Sequence, residues 1–393
     1  MRRPLLYVLS VPFVLALVAC SGGGMSGTGG ASPNGGTTGS GGTAGHVSGG
    51  GGGGGRASGG GAGAGGPCIA TATPNTVLPS FTGYSLSVVG QDAYYVDPTA
   101  NASRGAVRHV MLDGTGDAAI IDPPTGIIFG VSAVGPDLYY FQEDDASVGA
   151  VHMYRSPRAT GGAGTQVGTD TYNGFAANIL GGGLAGIMVG QTFGVFAQRD
   201  TDLFVHDGAE ISRVSTVTGA KTVIADDAGA SGGLLWPALV GSTVFYKDGA
   251  GAIYSAPADA TVASGARVGT ATCGSGRTMW MSSSAAGFLC GELFGLDKVD
   301  PSGTTKSHVI YTLMDKNPTQ FNPTQIDGTT YYALPKDTAL GFPIYKLDAA
   351  TNTATPVVCD GHAVIDYELT STDLVYVELT GSTAAISLKR LAR

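Results

Sequence analysis

The stretch Val244-Phe245-Tyr246-Lys247-Asp248-Gly249-Ala250-Gly251-Ala252-Ile253-Tyr254-Ser255-Ala256 decides the fold. A branched and aromatic triplet, a short Asp-Gly turn and a second run of apolar residues read as two antiparallel strands joined by a hairpin. The first strand of this unit recurs as Ala93-Tyr94-Tyr95, Leu138-Tyr139-Tyr140, Leu203-Phe204-Val205, Val244-Phe245-Tyr246, Phe288-Leu289-Cys290, Thr330-Tyr331-Tyr332 and Leu374-Val375-Tyr376. Successive starts are 45, 65, 41, 44, 42 and 44 residues apart, so the period is near 43 with one insertion.

The second strand follows each time, as Val107–Leu112, Val151–Tyr154, Ile211–Val217, Ile253–Ala256, Leu296–Val299, Ile344–Leu347 and Ile386–Leu391. Leading strands such as Leu86–Val89, Leu235–Val240 and Val364–Leu369 open the units, and Thr222–Ile224, Ser307–Tyr311 and Thr355–Val358 close most of them. Four short strands per 40–45 residues, without an amphipathic helix, predict an all-β protein, a β-propeller of seven four-stranded blades. Six blades with a divergent extra unit is the alternative. The last unit stops at Arg393 after three strands, and Ala72–Leu78 is expected to supply its fourth, removing an exposed sheet edge. The propeller therefore spans 67–393.

The architecture resembles the broad superfamily of bacterial periplasmic and surface propellers that includes TolB-type repeats. No Trp-Asp blade ending and no Tyr-Trp-Thr-Asp repeat is present, so the functions of those subfamilies do not transfer.

Ahead of the repeats, residues 1–19 combine Arg2 and Arg3 with the apolar run Leu5–Val18, the pattern of an export signal too short to span a bilayer as a helix. Leu17-Val18-Ala19-Cys20 resembles the lipobox of bacterial lipoproteins, which implies cleavage before Cys20 and lipidation of that cysteine. Ser21 after it implies sorting to the outer membrane of a Gram-negative cell envelope, with the lipid as the membrane partner. From Ser21 to Gly66 the chain holds 25 glycines in 46 residues and one charge, Arg56, so 20–66 reads as the lipidated cysteine followed by a disordered tether. Its root-mean-square reach is roughly 35–40 Å.

With Arg2, Arg3 and Arg56 excluded, the propeller carries 18 Lys and Arg against 30 Asp and Glu, a net charge of −12. Nucleic acid is thereby disfavoured as a partner. Four cysteines remain, Cys68, Cys273, Cys290 and Cys359, and an oxidising compartment permits disulfides. Cys273–Cys290 is the most local of three possible pairings and leaves Cys68–Cys359, whose strand positions place them toward opposite faces. No Cys-x-x-Cys or paired-His spacing suggests zinc. His109, His152, His206, His308 and His362 are scattered over different units.

Loops between the second and third strands are short at Asp207-Gly208 and Asp248-Gly249 but longer at Asp97–Gly105, Gln142–Gly149 and Pro335–Pro343, and the insertion falls at about Asp170–Gln191. Long loops without structure of their own are often functional. The candidate binding residues are thus Glu143, Asp144, Asp145 and Tyr172. Calcium at Glu143–Asp145 or Asp113–Asp117 is considered, but neither run follows the ordered EF-hand pattern, and no cofactor is assigned. Gly229-Ala-Ser-Gly-Gly233 fits a nucleophile-elbow string in a loop between units rather than between a strand and a helix. The reading is a lipid-anchored envelope propeller that binds a protein, glycan or small ligand, or acts as a scaffold. The alternative is a propeller enzyme, a hydrolase, lyase or metal-dependent catalyst, with its site at the channel mouth.

Overall fold

A computed structural model describes residues 73–393 except 102–103, 123–124, 144–149, 173–193, 207–209, 227–233, 275–280, 285, 293–294, 312–323, 327–328, 334–343, 349–352, 359–362 and 381–384. The signal segment, Cys20, the tether and Cys68 lie outside the described residues, as do Asp144, Asp145, Cys359, His362, Gly229–Gly233 and most of the insertion.

Among the described residues every regular element is a strand. After β1 (Asn75–Leu78), the first blade comprises β2 (Tyr84–Val89), β3 (Asp92–Asp97), β4 (Ala106–Met111) and β5 (Ala118–Ile121). The second holds β6 (Ile127–Val134), β7 (Asp137–Glu143), β8 (Val151–Pro157) and β9 (Thr165–Gln166), and the third β10 (Gly194–Arg199), β11 (Asp202–His206), β12 (Glu210–Ser215) and β13 (Lys221–Asp226). In the fourth are β14 (Leu234–Val240), β15 (Thr243–Asp248), β16 (Ala252–Pro257) and β17 (Ala266–Thr272); in the fifth, β18 (Met281–Ser284), β19 (Gly287–Glu292), β20 (Gly295–Val299) and β21 (Lys306–Tyr311). The sixth contains β22 (Thr324–Ile326), β23 (Thr329–Ala333), β24 (Ile344–Asp348) and β25 (Thr353–Val358). The seventh has β26 (Ala363–Leu369), β27 (Asp373–Thr380), β28 (Ala385–Ala392) and, as its outer strand, β1.

Seven four-stranded antiparallel sheets in chain order, closed by pairing the first strand with the last, form a seven-bladed β-propeller. The closing strand is Asn75–Leu78, shorter than the Ala72–Leu78 expected, with Asn75 opposite Arg390 and Leu78 opposite Leu388. Five of the seven leading strands carry a register shift against the second strand, as between Ile128 and Gly130 or Val195 and Ala197. Such bulges add local twist.

The second strands explain why the repeat reads as continuous apolar triplets rather than an alternation. Each is covered on both sides by a neighbouring blade, and side chains of period 2 serve both interfaces. Leu138 and Tyr140 pack with Tyr94, Val96 and Val107 of the first blade, while Tyr139 and Phe141 pack with Leu203 and Val205 of the third. Phe204 faces onward to Val244 and Tyr246 of the fourth. The core is thus a series of layers between blades, and fully burying each such side chain contributes about 1.5–3 kcal/mol.

Candidate functional site

The ring repeats an ion pair at one end of its second strands. Asp137 is the first residue of β7 and lies opposite Pro157, while Arg155 of β8 lies opposite Tyr139, so the two side chains meet diagonally on one face of the sheet at 2.6 Å. The same register joins Asp92 to His109 at 2.8 Å, Asp202 to Arg213 at 3.8 Å and Asp373 to Arg390 at 2.5 Å. These pairs sit between blades: Gln91 of the first blade reaches Asp373 at 3.4 Å, and Arg213 Nη1 reaches the Ala258 carbonyl of the fourth at 3.5 Å. Blades four to six place Thr243, Gly287 and Thr329 at the acidic position.

The second blade breaks the pattern in a different way. Its outer strand β9 has two residues, where the outer strands of the other blades have four to seven. Thr165 of β9 lies opposite Arg155, as Thr222 of β13 lies opposite Arg213, yet Arg155 keeps 46% of its side-chain surface exposed, against 21–28% for Arg213, His109 and Arg390. A groove of about 430 Å³ opens beside it between the second and third blades. One wall is Thr165–Gly168, the other is the Thr216–Gly219 turn joining β12 to β13, and Asp137, Arg155 and Pro157 form the end.

Two nitrogens of Arg155 converge on one oxygen of Asp137, Nε at 2.9 Å and Nη2 at 2.6 Å. The hydrogen bond that Arg155 donates to Asp137, stronger than the opposing desolvation, raises the Arg155 pKa and keeps the guanidinium charged. Asp137 is itself buried, whereas Val217 at the groove lip is 75% exposed. The groove therefore offers a fixed donor and acceptor side by side, hydroxyls from Thr165, Thr216 and Thr218, and a small apolar lip.

Of the residues singled out from the sequence, the two described, Glu143 and Tyr172, fall elsewhere. Glu143 ends the strand that Asp137 begins, about 20 Å away at the other face. Tyr172 is 2% exposed and belongs to the core: its ring meets Phe141 edge-on at 5.4 Å, Lys221 lies over it at 4.7 Å, and its amide donates to Val151 at 2.9 Å. That side chain pins the second blade to the third instead of facing a ligand. Several polar groups at the Glu143 end are used within the fold: Asp97 accepts from Thr99, Asp248 from the Ala252 amide, and Gln142 donates to Thr125.

Asp113 accepts from the amide and hydroxyl of Thr115, and Asp117 accepts from Tyr95 and Arg108, so these two carboxylates serve separate contacts. Among the described residues, no three of His, Cys, Asp and Glu are disposed to hold a metal ion. Cys273 and Cys290 are disulfide-bonded, linking the end of the fourth blade to β19 of the fifth. His152 contacts the Asp170 carbonyl at 3.2 Å, and His308 is paired through its backbone with Asp297.

At one position of the second strand the third and fourth blades carry buried bases, His206 and Lys247, where Val96, Phe141, Gly291, Ala333 and Val377 stand in the others. Lys247 Nζ donates to the Gly274 carbonyl at 2.7 Å. His206 packs on Phe196 with its Nδ1 unpartnered, and burial lowers its pKa from 6.5 to about 3.

Asp137 and Arg155 escaped the sequence reading, although a signal existed. Asp92, Asp137, Asp202 and Asp373 each immediately precede a repeated triplet, and a base follows at the matching place in the next strand.

No family model matches the chain, and no curated protein does. Similar folds occur among solved structures. A puromycin hydrolase aligns with TM-score 0.53 and 12% identity over 81% of this chain and 54% of its own, so the chain spans about half that enzyme's length. YCF48 from Cyanidioschyzon merolae aligns with TM-score 0.50 and 11% identity over 81% and 98% of the two chains. The computationally designed Ika8 protein gives 0.50 and 10% over 78% and 85%. At such identities the likeness shows the fold alone.

Proposed function

We propose that this chain is a lipid-anchored propeller of the cell envelope that acts as a binding or scaffold module, presenting the groove between its second and third blades. The observation that carries the reading is access: a groove of about 430 Å³ between the two blades leaves Arg155 46% exposed beside Asp137, where the matching bases of other blades are more covered. That volume lies within the roughly 300–1,000 Å³ range of small-ligand sites. Among the described residues its lining contains no aligned nucleophile and base, which favours holding over transforming a ligand.

The anchor rests on Leu17-Val18-Ala19-Cys20, and the outer membrane on Ser21. Two measurements test the proposal. Labelled palmitate should enter the wild-type protein and not Cys20→Ala, which should also leave the membrane fraction. A photo-crosslinking amino acid at Thr218 should trap an envelope component that the same probe at Val262, an exposed residue of the fourth blade, does not. Absence of label would overturn the anchor, and equal trapping at both positions would overturn the groove.

A further inference from the structure

We infer that the groove takes an extended peptide segment and recognises it through the backbone. The inference rests on the binding reading above and narrows it to one class of ligand.

A peptide group presents an N–H donor and a C=O acceptor a few ångströms apart. The Asp137–Arg155 pair offers the complement. Both contacts from Arg155 go to Oδ2 of Asp137, so Oδ1 is left to accept an N–H, and the half-exposed guanidinium has further N–H groups to give a carbonyl. Thr165 supplies a wall hydroxyl, Thr218 Oγ1 accepts from the Ala220 amide and keeps its proton to donate, and the exposed Val217 offers contact to a small apolar side chain. None of the lining residues is aromatic, so the groove lacks the flat face on which a nucleobase stacks. Thr165 and Gln166 form an exposed, two-residue sheet edge beside the groove. Extended peptides add to such edges, with backbone hydrogen bonds giving affinity and alternate side chains giving preference.

The pairs in other blades separate this from a general property of the ring. Arg213 and Asp202 have the same register, but Arg213 is 21% exposed against 46% for Arg155 and reaches the Ala258 carbonyl of the next blade. The third blade keeps the pair without the access.

The test uses the mature lipidated protein in detergent and fluorescein-labelled acetyl-Thr-Val-Thr-Val-Thr-Val-amide, read by anisotropy. Expected is saturable binding, weakened at least tenfold when the probe's amides are N-methylated, and weakened likewise by Arg155→Met but not by Arg213→Met. Since Arg155→Met removes a partner of a buried carboxylate, Thr218→Trp is the second variant, filling the groove from an exposed turn; it should abolish binding with the unfolding midpoint unchanged. Binding indifferent to N-methylation or to Thr218→Trp would overturn the inference. So would saturation by a chitin tetrasaccharide with none by the peptide. If the peptide fails while crosslinking from Thr218 persists, the binding module stands and the peptide assignment falls.

Discussion

Gly168 and Gly219 touch across the boundary between the second and third blades. A Cβ on Gly168 would overlap the Gly219 carbonyl oxygen, and one on Gly219 would lie 2.5 Å from the Gly168 nitrogen. Both residues have positive φ, +73° and +72°. The turn of one blade therefore rests directly on the outer segment of the blade before it. Gly303 repeats the contact against Gly269 at the interface of the fourth and fifth blades, and Gly114 rests on Val77 where the ring closes.

Gly219→Ala should consequently destabilise the propeller twice over. Left-handed backbone costs an alanine roughly 1–2 kcal/mol, and the overlap adds about 1–3 kcal/mol typical of overpacking. Gly90→Ala carries the first cost alone, because Gly90 has φ +64° and no atom within 4 Å of the added carbon, so the difference between the two variants isolates the second. Urea unfolding of both variants should show Gly219→Ala the less stable by at least about 1 kcal/mol. Equal midpoints would mean the turn yields without cost.

Arg390→Met should be among the most damaging single changes at the ring's seam. Asp373 is 1% exposed and accepts from Arg390, from Thr372 at 2.5 Å and from Gln91 of the next blade. Burial alone would raise its pKa, but these hydrogen bonds outweigh burial and lower it. Removing Arg390 leaves a buried carboxylate short of partners, at a cost of about 3–5 kcal/mol. The double variant Asp373→Asn/Arg390→Met should recover part of that loss. The sign with pH follows: a lowered carboxylate pKa contributes stability above its unfolded value near 3.9 that disappears as pH falls. The wild type should therefore lose stability below about pH 4 faster than the double variant does.

His206 gives the opposite chemistry and an acid limb at higher pH. Its ring is neutral in the fold because burial depresses its pKa to about 3, whereas the unfolded chain protonates near 6.5. Below 6.5 only the unfolded state gains the proton, so stability falls by up to about 1.4 kcal/mol per pH unit until pH 3 and is constant above roughly 7.5. His206→Phe places there the residue that Phe141 represents in the second blade. The difference in unfolding free energy between wild type and variant should change with pH between 6.5 and 3. A constant difference would show that His206 is solvated and titrates normally.

How far the sequence revealed these features follows from range. The blades were legible because all but the seventh, which takes β1 as its outer strand, are built from contacts within about 43 residues, and a second strand buried on both sides leaves the same aromatic triplet each time. Strand β9 was not, because Thr165-Gln166-Val167 looks no weaker than outer strands that run on; what ends it is the course of the chain through Gly168 toward Tyr172. Tyr172 looked like a loop residue because its partners Phe141 and Lys221 are 31 and 49 positions away in sequence. The Asp137–Arg155 pair needs the strand register, which an alternating pattern does not fix without the turn geometry.

Closure of the ring makes the final prediction. The outer strand of the seventh blade comes from the start of the described chain, and Val77, Leu78 and Phe81 are buried against Tyr376, Leu388 and Leu391. Each such side chain contributes about 1.5–3 kcal/mol, and without β1 the eight-residue β28 would become an open edge able to pair with another copy. A chain beginning at Ser80 should unfold at lower urea than one beginning at Thr73 and should self-associate with rising concentration in light scattering. A synthetic peptide of residues 73–82, added in excess, should restore the midpoint and the monomer together. Val77→Asp in the intact chain should reproduce the loss, while Val262→Asp, at a position 68% exposed, should not. If the chain lacking β1 keeps its midpoint and stays monomeric, packing between blades holds the ring shut, and pairing of the chain ends contributes nothing measurable.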